Sequence, residues 1–342
     1  MKAEIIPATL KFKKPAGTSR GIYTERKVWY IKLQDGEKTG LGECAPLPKL
    51  SVDDVPDYEQ KLHKFVELAV SRMNRDSEEP IPYDDLVCYP SILFGLETAL
   101  KDLYSENGKL WDSPFSRGEK GIEINGLIWM GSHDAMLEQI HTKLEKGFQC
   151  IKLKIGAIDF DEEVDLLEFI RKHYSAEQIT LRVDANGGFK PEDALDKLER
   201  LATLDLHSIE QPIMAGQWDE MARLCASTPL PIALDEELIP CVTLEDKTRM
   251  LDRVRPQYII LKPSLHGGIA GCSEWIRLAE ERGIGWWITS ALESNVGLNA
   301  IAQWCGSLGT TLPQGLGTGL LFTENADLGL EIRGDQLWRN LP

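Results

Sequence analysis

Apolar positions in the chain first follow a strand-like spacing, then a helical one, and then alternate between the two. Val28 to Leu33 (VWYIKL) is an apolar-rich run, Asp35-Gly36 is a turn signal, and Thr39 to Glu43 follows, which predicts a β-hairpin. The polar stretch Lys13–Lys27 before it, with Gly17 and Gly21, predicts a mobile loop. From Val52 to about Met73 the apolar residues Val55, Leu62, Phe65, Val66 and Leu68 recur at helical spacing, and Ser91–Ser105 predicts a second helix. Strands followed by helices make residues 1–118 a small α+β unit.

After Gly121 short β-rich runs recur at Ile122–Ile128, Gln149–Ile155, Ile179–Asp184, His207–Gln211, Pro231–Asp235, Tyr258–Lys262 and Gly285–Ser290. Charge-rich helical segments such as Asp161–His173, Pro191–Leu204 and Gly271–Gly283 separate them. Strand–helix alternation of this kind predicts βαβ units in a parallel sheet, and the repeat length suits an α/β barrel of the TIM type over residues 119–312. The competing arrangement, an open doubly wound sheet, lacks a GxGxxG after its first strand. The Gly-rich tail, residues 313–342, is expected to leave the barrel and return to the small unit.

Composition narrows the function classes. A net charge of −16 supplies no basic stripe for phosphates, which argues against nucleic acid and against anionic membrane surfaces. No run approaches the ~20 apolar residues of a membrane span. Seven cysteines, an odd number without a CxxC pair, read as free thiols. The N-terminus has no signal-peptide core. The expected location is the cytoplasm.

The chemistry sits at the predicted strand ends. The second run ends in Lys152-Leu153-Lys154, the third in Asp184, the fourth in Glu210, the fifth in Asp235 and the sixth in Lys262. These are spaced one βα unit apart, so five successive strands deliver ionisable groups to the C-terminal rim, where barrel active sites lie. Lys152 and Lys154 are two apart and point to one side. Three carboxylates can hold a hard divalent cation, Mg²⁺ or Mn²⁺, which would relieve their mutual repulsion and polarise a substrate carboxylate. A lysine could then remove the adjacent C–H proton if it is neutral, and a second lysine close by disfavours its ammonium form. Any one of these acids alone reads as a helix cap or a solvated rim residue. Lys262 alone reads as structural, or as the Schiff-base lysine of an aldolase. The ordered set favours the metal-and-lysine reading over these, and over a module that only binds metal.

The order KxK–D–E–D–K resembles the muconate-lactonizing subgroup of the enolase superfamily, whose fold is a (β/α)7β barrel with an N-terminal α+β capping domain. Finer features are similar to its o-succinylbenzoate synthase family. They are Gly42–Pro48 (GECAPLP), Ser290–Leu298 (SALESNVGL) and Gly317–Phe322 (GTGLLF). The resemblance implies that Lys154 is the base that takes the α-proton and then returns a proton to a departing hydroxyl. It makes Lys152 a partner of the substrate carboxylate and Lys262 a cation on the opposite side. Asp184, Glu210 and Asp235 become the Mg²⁺ ligands, with Asn186 behind them. Arg20, Thr289, Ser290 and Gly317 are expected against the substrate, a small carboxylate. Residues 13–27 are expected to cover the site. The implied reaction is a dehydration. The eighth-strand region, Leu312–Thr318, lacks the Asp-x-Asp of dipeptide epimerases, and the seventh run has no histidine base. N-acylamino acid racemase or dipeptide epimerase activity remains the nearest alternative. His266 reads as a loop or cap residue, Trp286 and Trp287 as packing. Arg26 reads either as a substrate contact or as a solvated loop charge.

Overall fold

The computed structural model describes residues 1–18, 21–156 and 158–341. It opens with an antiparallel sheet of β1 (Lys2–Thr18), β2 (Gly21–Asp35) and β3 (Lys38–Cys44). The hairpin between β2 and β3 turns at Asp35-Gly36, with Gly36 at φ +59°. The segment expected as a loop at Lys13–Lys27 is instead largely the tip of the β1–β2 hairpin, its pairing shifted between Lys11 and Ala16. The alternation is hard to see in the sequence because, among the residues of β1 whose burial is described, only Leu10, Phe12 and Ala16 are buried, and most side chains between them are polar. Phe12 packs on Phe322 from the far end of the chain, ring centroids 4.7 Å apart, and the Lys13 N–H donates to Leu321 O at 2.8 Å.

Helices α1 (Tyr58–Met73) and α2 (Pro90–Leu103) cover one face of this sheet. Helix α1 starts later than its apolar pattern suggests, just beyond Pro56. Contact between β3 and α2 is backbone to backbone: a Cβ on Gly42 would overlap Gly95 O, and one on Gly40 would overlap Ala99 O. Only glycine permits that approach.

Seven parallel strands follow: β5 (Gly126–Ile128), β6 (Cys150–Lys154), β7 (Thr180–Asp184), β8 (Ser208–Glu210), β9 (Ile232–Leu234), β10 (Tyr258–Leu261) and β11 (Gly285–Ile288), hydrogen-bonded in sequence order. The short β4 (Ile122–Glu123) precedes them. Gln314 and Gly315 bridge to Ile124 and Thr289, which closes the circle at the eighth position. Helices α3 (His133–Glu145), α4 (Phe160–His173), α5 (Pro191–Ala202), α6 (Trp218–Ser227), α7 (Leu244–Val254), α8 (Gly268–Glu280) and α9 (Asn295–Ser307) alternate with the strands. Their buried stripes keep helical spacing, as with Ala194, Leu198 and Leu201 of α5. On β6 the period of two sends Ile151 and Leu153 into the hydrophobic core and leaves Lys152 and Lys154 on the other face. Burying each such apolar side chain stabilises the barrel by roughly 2 kcal/mol. The chain ends in a hairpin of β12 (Leu330–Arg333) and β13 (Gln336–Arg339), with β13 paired to β4.

Two carboxyl groups fasten the N-terminal unit to the barrel. Glu43, at the end of β3, accepts the backbone N–H groups of Ser294 and Gly297 at 2.8 Å each, at the start of α9. Glu97, from α2, accepts those of Ile269 at 2.6 Å and Ala270 at 3.0 Å, at the start of α8. Each satisfies N–H groups that a helix start leaves without partners. The loop before α8 takes a left-handed conformation at Gly267 and Gly268, and a Cβ on Gly268 would overlap the Glu97 carboxylate. No helix among the described residues is long and apolar enough to cross a membrane.

Burial pushes the Glu97 carboxyl up to about 8 from an ordinary value of 4.5, against the pull of the Ala270 and Ile269 donors. The native state therefore holds this proton more tightly than the unfolded chain. The associated stability is full below about 4.5 and is lost as the pH rises through about 8. Glu97→Gln keeps an acceptor and removes the titration. It should flatten the fall in melting temperature between about pH 5 and pH 8, measured by circular dichroism. An unchanged slope would contradict the assignment.

Candidate active site

Parallel pairing in register builds the centre. Lys154 lies beside Asp184, and Asp184 beside Glu210, so three neighbouring strands present these groups at one level. Asp235 directly follows β9 and Lys262 directly follows β10. The structure thus brings together all six charged residues expected from the sequence. Lys152 Nζ contacts Asp184 Oδ2 at 3.0 Å and is also hydrogen-bonded to Glu210 Oε2. Lys154 Nζ donates to Asp184 Oδ2 at 3.2 Å and to Asn186 Oδ1 at 2.9 Å. Lys262 Nζ is paired with Asp235 Oδ2. Asn186 is held at φ +45°, its N–H bonded to Asp184 Oδ1 at 3.0 Å, and its Nδ2 reaches Glu236 Oε1 at 3.1 Å.

The three carboxylates whose oxygens lie within 4.8 Å of one another are Glu210, Asp235 and Glu236. Asp184 is not in that group and is instead engaged by the two lysines of β6. Glu236 is the one acid of the centre outside the sequence set. Its only signal there is its place in the run Asp235-Glu236-Glu237, where an offset of one residue decides which side chain faces inward. Glu210 Oε1, Asp235 Oδ1 and Glu236 Oε2 are buried oxygens without a hydrogen-bond partner. Buried acceptors left unpaired are costly, and three converging ones suit a hard cation.

A cavity of about 950 Å³ opens above, with Lys152, Lys154, Asp184, Glu210, Glu236 and Lys262 among its lining. Its apolar wall includes Trp129, Leu292 and Leu320. Leu292 sits at φ +64°, a conformation leucine rarely adopts, next to Glu293, whose carboxylate accepts the Ala291 N–H at 2.7 Å. Thr289, Ser290 and Gly317 also line the cavity. Thr289 Oγ1 donates to Gly315 O at 2.8 Å, and Ser290 Oγ lies 2.5 Å from Thr318 Oγ1. Arg20 lies outside the described residues. Arg26 is not a solvated loop charge and is not among the residues lining the cavity: it is buried and donates to Ala45 O at 2.5 Å. Trp287 packs inside the barrel under the guanidinium of Arg182, 4.1 Å from its ring. Sequence reasoning missed that buried arginine.

Burial raises the Glu210 carboxyl to about 8, with Asp184 adding to it, and raises Glu236 to about 7, with Asp235 adding to it. Burial also acts on Asp184 and Asp235, but the lysines outweigh it and hold both below the usual carboxylate range. The lysines show the reverse balance. Burial disfavours charge on Lys152 and Lys262, yet neighbouring carboxylates hold both above the ordinary lysine value. Burial pushes His266 down to about 3, so its ring is neutral.

A family model described as "Enolase C-terminal domain-like" matches residues 135–328, and one described as "MenC, N-terminal domain" matches residues 19–103. The chain belongs to the enolase superfamily. Among its relatives in that superfamily, the o-succinylbenzoate synthase of Desulfotalea psychrophila is 47% identical, with 96% of each chain covered. The crystal structure of MenC from that organism superimposes with a TM-score of 0.84 at 43% identity, covering 99% of both chains. The muconate lactonizing enzyme of Pseudomonas putida shares the enolase-superfamily fold at TM-score 0.78 and 19% identity, covering 98% of this chain and 93% of that one.

Burial of the Glu210 carboxyl, raised to about 8 from 4.5, makes the native state hold its proton more tightly than the unfolded chain does, so the associated stability is full below about 4.5 and is lost as the pH rises through about 8. Glu210→Gln removes that titration and should therefore raise the melting temperature of chelator-treated protein more at about pH 8 than at about pH 5. A clear fall in a calorimetric scan would show that Glu210 is a net stabiliser of the empty centre.

Proposed function

We infer that this protein is an o-succinylbenzoate synthase, which removes water from 2-succinyl-6-hydroxy-2,4-cyclohexadiene-1-carboxylate to give 2-succinylbenzoate for menaquinone synthesis. The observation that carries the reading is the 47% identity over 96% of both chains. The lysine–acid row at the barrel mouth supports it.

Lys154, fixed between Asp184 and Asn186, is positioned to take the α-proton. The same group, now an ammonium, returns a proton to the departing hydroxyl on the same face, a syn elimination. Lys262 stands four strands away, at the end of β10, and remains charged, so it stabilises the enediolate electrostatically. That charge also argues against a Schiff-base role, which needs a free amine. Lys152 serves the substrate carboxylate. Asp184, Glu210 and Asp235 are the residues we assign to Mg²⁺, for which Mn²⁺ can substitute, and the unpaired oxygens of Glu210 and Asp235 fit that assignment. Glu236 is the neighbour able to replace Asp235. When bound, the cation would supply positive charge that lowers the cost of the enediolate. Residues 1–118 act as the cap, 119–312 carry the chemistry and 313–342 close the barrel and tie back to the cap. Lys13 and Tyr23, at the tip of the β1–β2 hairpin, line the cavity and support a covering role for residues 13–27.

A racemase reading has its own support. The N-succinyl-L-Arg/Lys racemase of Bacillus cereus is 32% identical, covering 85% of this chain and 79% of that protein. Both lysines also reach the one cavity.

Chelation with EDTA should abolish dehydration, followed by ultraviolet absorbance, and Mg²⁺ or Mn²⁺ should restore it. Full activity in metal-free protein would remove the metal from the mechanism. Asp235→Asn should lower turnover by orders of magnitude; near-normal turnover would move the ligand to Glu236.

Lys154→Ala should lose both dehydration and exchange of the substrate α-hydrogen with solvent deuterium. Lys262→Ala should slow turnover by ~10²–10³, the scale of a lost electrostatic stabiliser. If Lys154→Ala still exchanges one enantiomer of an N-succinyl amino acid and the wild type dehydrates negligibly, the racemase reading replaces this one.

A further inference from the structure

His266 has no part in the chemistry assigned so far, and its side chain is fully buried. It belongs to a tight turn that starts at Lys262. The Leu265 and His266 N–H groups both donate to Lys262 O, at 2.8 and 3.0 Å. In the other direction the Lys262 N–H donates to His266 Nδ1 at 3.0 Å. Both backbone polar groups of Lys262 are therefore held by the far end of its own turn. Close packing keeps the turn in place: Gly267 is left-handed at φ +90°, and a Cβ on Gly271 would lie 2.5 Å from His266 O.

The hydrogen bond fixes the proton. A ring nitrogen that accepts from a backbone N–H carries no hydrogen, so the single proton of the neutral imidazole is on Nε2. Buried Nε2 has no hydrogen-bond partner. It lies 3.8 Å from Asp235 Oδ1, which is also buried and also without a partner. The backbone carbonyl of Asp235 also acts on the ring as an acceptor, and Oδ1 is short of a hydrogen bond to Nε2 by roughly 0.8 Å. Leaving both unsatisfied costs more than the small adjustment that joins them.

We propose that His266 is a positioning residue whose Nε2–H holds Asp235 Oδ1 while its Nδ1 holds the backbone of Lys262. One imidazole thus fixes the spacing between the acid of one strand end and the lysine of the next. Oδ2 of Asp235 stays turned toward Lys262. The same anchoring selects Asp235 over Glu236 as the ligand, because Glu236 has no equivalent anchor and shares only Asn186 Nδ2. This second statement rests on the assignment of Asp235 to the cation.

Two measurements separate the parts. In protein labelled with [¹⁵N]histidine, long-range ¹H–¹⁵N correlation should show one buried ring protonated on Nε2 and bare on Nδ1. A proton on Nδ1 overturns the proposal, whatever the protein catalyses. The second measurement is calorimetric titration with Mg²⁺ alone. His266→Asn keeps an acceptor near the Nδ1 position and loses the donor; His266→Gln carries an amide donor to the Nε2 position. His266→Asn should bind Mg²⁺ about 10–100-fold more weakly, the usual loss for a group that orients a ligand, and His266→Gln should recover most of it. Equal affinity of His266→Asn and wild type overturns the positioning role. If the wild type itself binds no Mg²⁺, the metal assignment falls and the tautomer decides the proposal. The tautomer also decides it if His266→Asn does not fold.

Discussion

The structure depends on a charge balance that has been moved out of water. Four acids and three lysines share the mouth of the barrel, and each is deeply buried or nearly so. Isolated, any of these charges would be too costly to bury; together they compensate one another through short contacts. The compensation is incomplete, and three carboxylate oxygens are left over. The centre is thus stable enough to fold and unsatisfied enough to bind. The same balance explains why Lys152 and Lys262 are held as ammonium groups: acids that would receive a cation are acids that now stabilise their charge.

The rest of the fold serves this balance. Strand register sets the acids and lysines at one level. Left-handed turns at Asn186, Gln211 and Leu292 bend the chain just past three strand ends, and each costs of order 1–3 kcal/mol in backbone strain. Local networks hold the bends. Gln211 reaches Glu237 at 3.1 Å and its oxygen accepts the Glu237 N–H at 3.2 Å. Glu163 accepts the Gly156 N–H at 2.6 Å and so fixes the loop after Lys154. Gln211, Glu237 and Glu163 are not among the residues lining the cavity, yet each sets where a charged neighbour stands.

The barrel was legible in the sequence because its signal is repetitive: strands buried on both faces, amphipathic helices between them, one unit after another. The Lys154–Asp184–Glu210–Asp235–Lys262 row was legible because parallel strands in register carry sequence spacing straight into space. What stayed hidden depends on contacts remote in sequence. The β1–β2 tip reads as polar loop, since its apolar partners, Phe322 among them, come from the other end of the chain. Glu236 could not be told apart from its neighbour Asp235, because a one-residue rotation after β9 is not encoded in spacing. Arg26 looked like a loop charge and is a buried strand residue. Nothing in the order of residues announces that Glu43 and Glu97 reach across to the starts of two barrel helices.

Those two glutamates have a mechanical consequence. They share their load with other fastenings: Gln303 of α9 donates to Gly108 O and accepts the Leu110 N–H, and Phe12 and Lys13 of β1 meet Phe322 and Leu321. A body held at more than two points loses the single axis that two would leave it. The N-terminal unit is therefore braced against the barrel, and the part of the cavity wall that Lys13 and Tyr23 supply is set by the same fastenings.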